Sequence, residues 1–149
     1  MKLEDIIRGT YEIIDGVVNV NGNVILSNKG LEKIPFTFGT VTGSFNCRFN
    51  QLESLEGCPK IVWGYFDCSH NKLFTLKGSP EKVGGNFNCV YNQITSLEGS
   101  PEIVQGDFYC YYNQLTSLEG VPEIVYGDFY GYGNPIVKKI LGEINRSAL

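Results

Sequence analysis

Laid against itself at a shift of 21 residues, the chain brings its apolar and polar positions into register. Gly22, Gly43, Gly64, Gly85, Gly106 and Gly127 form one column. Two places on stand Val24, Phe45, Phe66, Phe87, Phe108 and Phe129, and two further Leu26, Cys47, Cys68, Cys89, Cys110 and Gly131. A spacing of two is that of a strand whose alternate side chains share a face. Next comes a polar column of Asn50, Asn71, Asn92, Asn113 and Asn134, with the first turn carrying its asparagine one place early at Asn28. Leu31, Leu52, Leu73, Ile94, Leu115 and Ile136 follow it. The phrases "LEGCP", "LKGSP", "LEGSP" and "LEGVP" then return through Val41, Val62, Val83, Val104 and Val125 to the next glycine.

A fixed period of this length, with apolar positions in register, predicts a solenoid. One turn cannot bury its own apolar edge, so turns stack and their Phe, Cys and Leu positions form ladders about 4.8 Å apart. The asparagines are expected to satisfy backbone groups where the chain bends inward. An open stack would expose a strand edge at each end, so both ends should carry caps. "YEIIDGVVNV" reads as two strands joined at Asp15-Gly16, a hairpin signal. "NPIVKKILGEINRS" predicts a helix over about residues 135–145, with Asn134 as N-cap, Pro135 in its first position and Ile136, Ile140, Leu141 and Ile144 on one face. The organisation expected is one domain over 1–149, with an N-terminal cap over 1–19, repeats over 20–134 and a helical cap over 135–149.

The pattern F-x-C-x-x-N-x-L-x-x-L resembles the leucine-rich repeat, with Phe108, Cys110, Asn113 and Leu115 on the second leucine, third leucine, asparagine and last leucine of that motif. It is similar in wording to short cysteine-containing leucine-rich repeat proteins carried in bacteriophage genomes. The resemblance implies a mostly β, right-handed solenoid of about six 21-residue turns, and a host-cell cytoplasmic protein that sequesters or inhibits a host protein. Phe in place of one Leu, and a Gly-Pro rich return with no room for a convex helix, depart from the family pattern.

Composition narrows the function. The net charge of -4 supplies no drive toward phosphate backbones, so nucleic acid is not the expected partner. No apolar run is long enough for a membrane-spanning helix, and the start "MKLEDIIRGT" does not read as a secretory signal; a cytoplasmic protein with reduced cysteines is expected. Cys47, Cys68, Cys89 and Cys110 would stand in a line spanning about 14 Å, which cannot surround one metal ion. They read as small ladder residues. Cys58 breaks a column otherwise of Ser79, Ser100 and Val121 and is a candidate surface thiol. His70 is the only histidine. With no nucleophile in register with it, no catalytic residue, metal or cofactor is assigned.

If Phe and Cys point inward, the alternate positions face solvent, and there the repeat does not dictate the residue. Toward the C-terminal half this face carries Asp107, Tyr109, Tyr111, Asp128, Tyr130 and Tyr132, with Tyr65 and Asp67 earlier on it. Tyrosine joins a large contact area to a small entropy cost and a polar tip, as recognition surfaces require. These eight residues are the expected site for a protein partner, one rich in Lys or Arg and therefore basic. A carbohydrate-binding module and a virion structural component are the alternative readings. The acidic edge with Glu98, Glu102, Glu119 and Glu123 is the alternative surface.

Overall fold

The computed structural model describes residues 1–147, with side chains to residue 142. A short helix α1 (Leu3–Ile6) leads into an antiparallel hairpin, β1 (Ile7–Ile14) and β2 (Val17–Ile25). Asp15 and Gly16 turn it, with φ of 49° and 78°, the left-handed pair that a tight two-residue hairpin needs. From there the chain winds as a parallel β-solenoid of five turns, each contributing two short strands on either side of a Gly corner: β3 (Thr37–Val41) and β4 (Phe45–Asn46), β5 (Ile61–Val62) and β6 (Phe66–Asp67), β7 (Lys82–Val83) and β8 (Phe87–Asn88), β9 (Ile103–Val104) and β10 (Phe108–Tyr109), β11 (Ile124–Val125) and β12 (Phe129–Tyr130). Strands of like position pair in parallel at the 21-residue register, Phe45 on Phe66, Phe66 on Phe87 and Phe87 on Phe108.

The count of turns is five where six were expected. Gly22 belongs to the glycine column, its carbonyl taking the Gly43 N–H at 2.9 Å, but it lies inside β2, whose first half pairs with β3 and second half with β4. Pairing with β1 from Val17 to Val24 makes one continuous strand here where later turns have two.

The core is the set of ladders. Phe45, Phe66, Phe87 and Phe108 are wholly buried, and with Phe129 their rings stack at centroid distances of 5.6, 5.5, 5.1 and 5.4 Å. Beside them lie Cys47, Cys68, Cys89 and Cys110, then Leu52, Leu73, Ile94 and Leu115. Cys58 is buried as well, next to Cys47, so the surface thiol expected there is corrected: the position falls where the return segment passes under the cysteine ladder. Burial pushes the thiols of Cys58, Cys68 and Cys89 well up, and that of Cys110 to about 12.

Each buried asparagine binds two turns together. Asn92 donates from Nδ2 to the carbonyls of Cys68 and Cys89, both at 3.1 Å, and accepts the Leu73 N–H on Oδ1 at 3.0 Å. Asn50, Asn71, Asn113 and Asn134 repeat the arrangement. Asn28 is not a rung. It has φ of 56° and stands one place earlier, in the column of Phe49, His70, Tyr91 and Tyr112. Asn134 is the last rung, so its side chain is committed to the ladder and does not cap the helix; its main-chain carbonyl takes the Val137 N–H.

The closing helix α2 (Pro135–Ser147) begins at the expected proline and runs two residues past the expected end. Ile136 packs on the core and Val137 is half-buried, whereas Leu141 is 54% exposed, so the buried stripe lies nearer the start of the helix than anticipated. Ile144 lies outside the described side chains. Phe129 remains 39% exposed beside the helix, so the last turn is only partly covered.

Candidate interaction surface

The strand that places Phe108 and Cys110 inward turns Asp107, Tyr109 and Tyr111 outward, and the next turn repeats this with Asp128, Tyr130 and Tyr132. Stacking follows from the register. Tyr109 lies on Tyr130 at 5.0 Å and Tyr111 on Tyr132 at 4.5 Å, with interplanar angles of 7° and 6°. Within the earlier turn Tyr109 meets Tyr111 edge to face at 6.3 Å, which joins the two stacks into one grid.

The carboxylates are tied into this grid. Asp107 accepts the Asp128 N–H on Oδ1 at 2.8 Å and the Tyr109 hydroxyl on Oδ2 at 2.9 Å. These bonds, the backbone one first, hold its carboxyl below the usual range. The same hydroxyl bond is the chief cause of a Tyr109 phenol pushed up to about 12. The Asp128 charge raises the Tyr130 phenol, whose hydroxyl lies 3.4 Å from its Oδ2. Both phenolic protons are turned toward carboxylates. What the surface offers a partner is therefore acceptor oxygens and negative charge, an arrangement that attracts cationic donors.

Of the eight expected site residues, six come together in this grid. Tyr65 is exposed two turns away and walls a cavity of 180 Å³ with Asn86, Asn88 and Tyr109. Asp67 requires correction: it is 7% exposed, held by the Ser69 N–H at 2.9 Å and the Ser69 hydroxyl at 2.6 Å, with Arg48 at 3.8 Å. Ser69 and Val90, expected outward as well, are also buried. Alternation along a strand fixes direction and not depth, and middle turns are covered from both sides.

The structure adds a column to the site. Phe49, His70, Tyr91 and Tyr112 each adopt a left-handed backbone, with φ between 52° and 54°, and their rings stack at 4.3, 4.5 and 4.9 Å. Tyr111 joins this column to the grid, edge to face with Tyr91 at 6.2 Å and with Tyr112 at 5.6 Å. The result is a continuous exposed aromatic ridge. At its end Gly133 has φ of 70°, and a Cβ there would meet the Tyr112 ring where it now lies. His70 is thus one plate in a stack. The signal available in the sequence was the ring standing before four successive column asparagines.

Compared with known proteins, the chain matches no family model, no curated protein and no solved structure. Among the described residues no helix is long and apolar enough to cross a membrane, and no three His, Cys, Asp or Glu side chains gather in a way that could hold a metal ion.

Proposed function

We propose that the protein is a non-catalytic interaction scaffold that binds a basic protein partner through Tyr109, Tyr111, Tyr130 and Tyr132 with Asp107 and Asp128. The observation that carries this reading is the exposed tyrosine grid whose phenolic protons point at the two carboxylates, leaving a negative, acceptor-rich aromatic surface. Tyr65 extends it, and the cavity between Tyr65 and Tyr109 has room for a Lys or Arg side chain. Carbohydrate stacking is less well supported, because each ring of the ladder covers the face of its neighbour. A single domain in the host cytoplasm that sequesters a host protein is the finer reading, resting on the resemblance to short leucine-rich repeat proteins of bacteriophage.

A fourfold alanine variant at Tyr109, Tyr111, Tyr130 and Tyr132 should keep its circular dichroism spectrum and lose the proteins that the parent captures from a host lysate. Capture by the parent should weaken as salt is raised. Retention of the same proteins by the variant would move the surface elsewhere, with alanines at Glu98, Glu102, Glu119 and Glu123 as the next set. Binding to a glycan array with no protein captured would refute the reading.

A further inference from the structure

At the N-terminal end of the stack the sheet stops at β1, and nothing among the described residues pairs with its outer side. The backbone decides which groups are left over. Val20 and Gly22 accept hydrogen bonds from the neighbouring turn, and the Val24 N–H donates to it, so even-numbered positions of β2 face the coils and odd-numbered ones face β1. Asn19, Asn21 and Asn23 stand opposite Glu12, Thr10 and Arg8. Ile7, Gly9, Tyr11 and Ile13 therefore turn their N–H and C=O groups away from the protein. The strand has eight residues and lacks the lysines and prolines that usually guard such edges. Arg8 stands at one end of the edge, its guanidinium donating to the Ile7 carbonyl at 3.2 Å and the Asp5 carbonyl at 3.5 Å, and the Tyr11 hydroxyl donates to Glu4 of α1 at 2.6 Å. Ile13 and Ile14 are 56% and 53% exposed.

We propose that β1 pairs antiparallel with β1 of a second copy, about a two-fold axis at Thr10, joining two solenoids into one sheet. Parity and charge select the register. Odd positions must meet odd positions for the outward peptide groups to bond. With Thr10 opposite Thr10, Ile7 pairs with Ile13 and Gly9 with Tyr11 of the second copy. On the alternate face Arg8 stands opposite Glu12 of the second copy, and the symmetry makes that pair twice. A slip of two residues in either direction keeps the parity but loses the charge match. Arg8 leaves its own Ile7 carbonyl for the Glu12 carboxylate, freeing that carbonyl for the ladder. The tyrosine grid lies at the opposite end of each copy, so the dimer would present two such surfaces facing apart.

Light scattering during size-exclusion chromatography at about 100 µM should give twice the mass of the chain, the regime of a modest interface. Glu12→Arg or Arg8→Glu alone sets like charges opposite each other twice and should weaken association about tenfold, and the double exchange should restore it. Thr10→Cys should oxidise to a disulfide-linked dimer. Glu12→Cys should not, because two copies of that position stand four residues apart along the pair, too far for a disulfide. A parent that stays monomeric, a dimer indifferent to both single reversals, or a covalent dimer through position 12 and not 10 would overturn the proposal. So would a monomeric parent whose β1 edge instead takes up an added extended peptide.

Discussion

Replacing Asn92 with alanine removes four hydrogen bonds, the longest to the Val90 carbonyl at 3.3 Å, but they are not equivalent. The carbonyls of Cys68 and Cys89 each keep a second donor, from Asn71 and Asn113. The Leu73 N–H has no other acceptor and lies in the wholly buried core. An orphaned buried donor costs about 1 to 3 kcal/mol, and each lost bond to a carbonyl still otherwise satisfied about 0.5 kcal/mol. The expected loss is therefore about 3 kcal/mol, which for a chain of this size lowers Tm by roughly 6 to 12 °C. Asn92→Asp should be worse at neutral pH, since the acceptor survives while a charged oxygen now faces two carbonyl oxygens. Burial and those carbonyls raise the folded-state pKa of such a carboxyl above its unfolded value of about 3.9. Its deficit relative to the parent should be smallest below about pH 4 and grow as pH rises toward the folded pKa. Urea unfolding followed by far-UV circular dichroism at several pH values measures both. A loss under about 1 kcal/mol for Asn92→Ala, or an Asp variant with a pH-independent deficit, would refute the ladder as the tie between turns.

Phe108→Ala should cost about 3 to 5 kcal/mol in the same assay, because Phe87 and Phe129 on either side hold the cavity open. Tyr91→Gly should be more stable than Tyr91→Ala by about 1 kcal/mol, reversing the usual order, because both lose the stack and only alanine keeps the cost of a left-handed backbone; equal stabilities would mean that the backbone relaxes. Thiols whose folded pKa is raised titrate first in the unfolded chain, so their contribution is full below about pH 8.5 and is lost as pH rises toward the folded values. By pH 10 each such thiol should cost about 2 kcal/mol, and thermal melts should fall steeply between those limits while replacement of Cys89 by alanine flattens the fall.

The columns of Phe45 to Phe108 and of Asn50 to Asn134 were legible because burial and backbone satisfaction act on every turn alike, and a shift of 21 residues sums the signal. The two hairpin strands and the helix start at Pro135 were legible from local turn chemistry. Gly22 was misleading. It sits in the same column as Gly43, yet pairing with β1 joins the stretches on either side of it into one strand, a constraint from outside the repeat. Depth was hidden as well, since Asp67 and Asp107 occupy outward positions and differ in what neighbouring turns place over them. The left-handed column was written only at its ends, where Asn28 and Gly133 are residues that accept that backbone; the rings between them do not advertise it.

The hydrogen bonds of each asparagine refer only to its own turn and the one before it, and to no absolute place in the chain. Such a lattice makes length an adjustable quantity. A duplicate of residues 72–92 set after Asn92 would bring its own rung, its own Phe and its own corner, and would meet both neighbours on terms they already accept. The molecule would grow by about one strand spacing, carrying the hairpin end and the tyrosine end apart in steps of roughly 4.8 Å. An insert one residue shorter could not hold both its asparagine and its inward Phe in register with the neighbouring turns. The fold thus behaves as a ruler graduated in whole turns, on which the separation between its two ends can be reset by gene duplication without redesigning either.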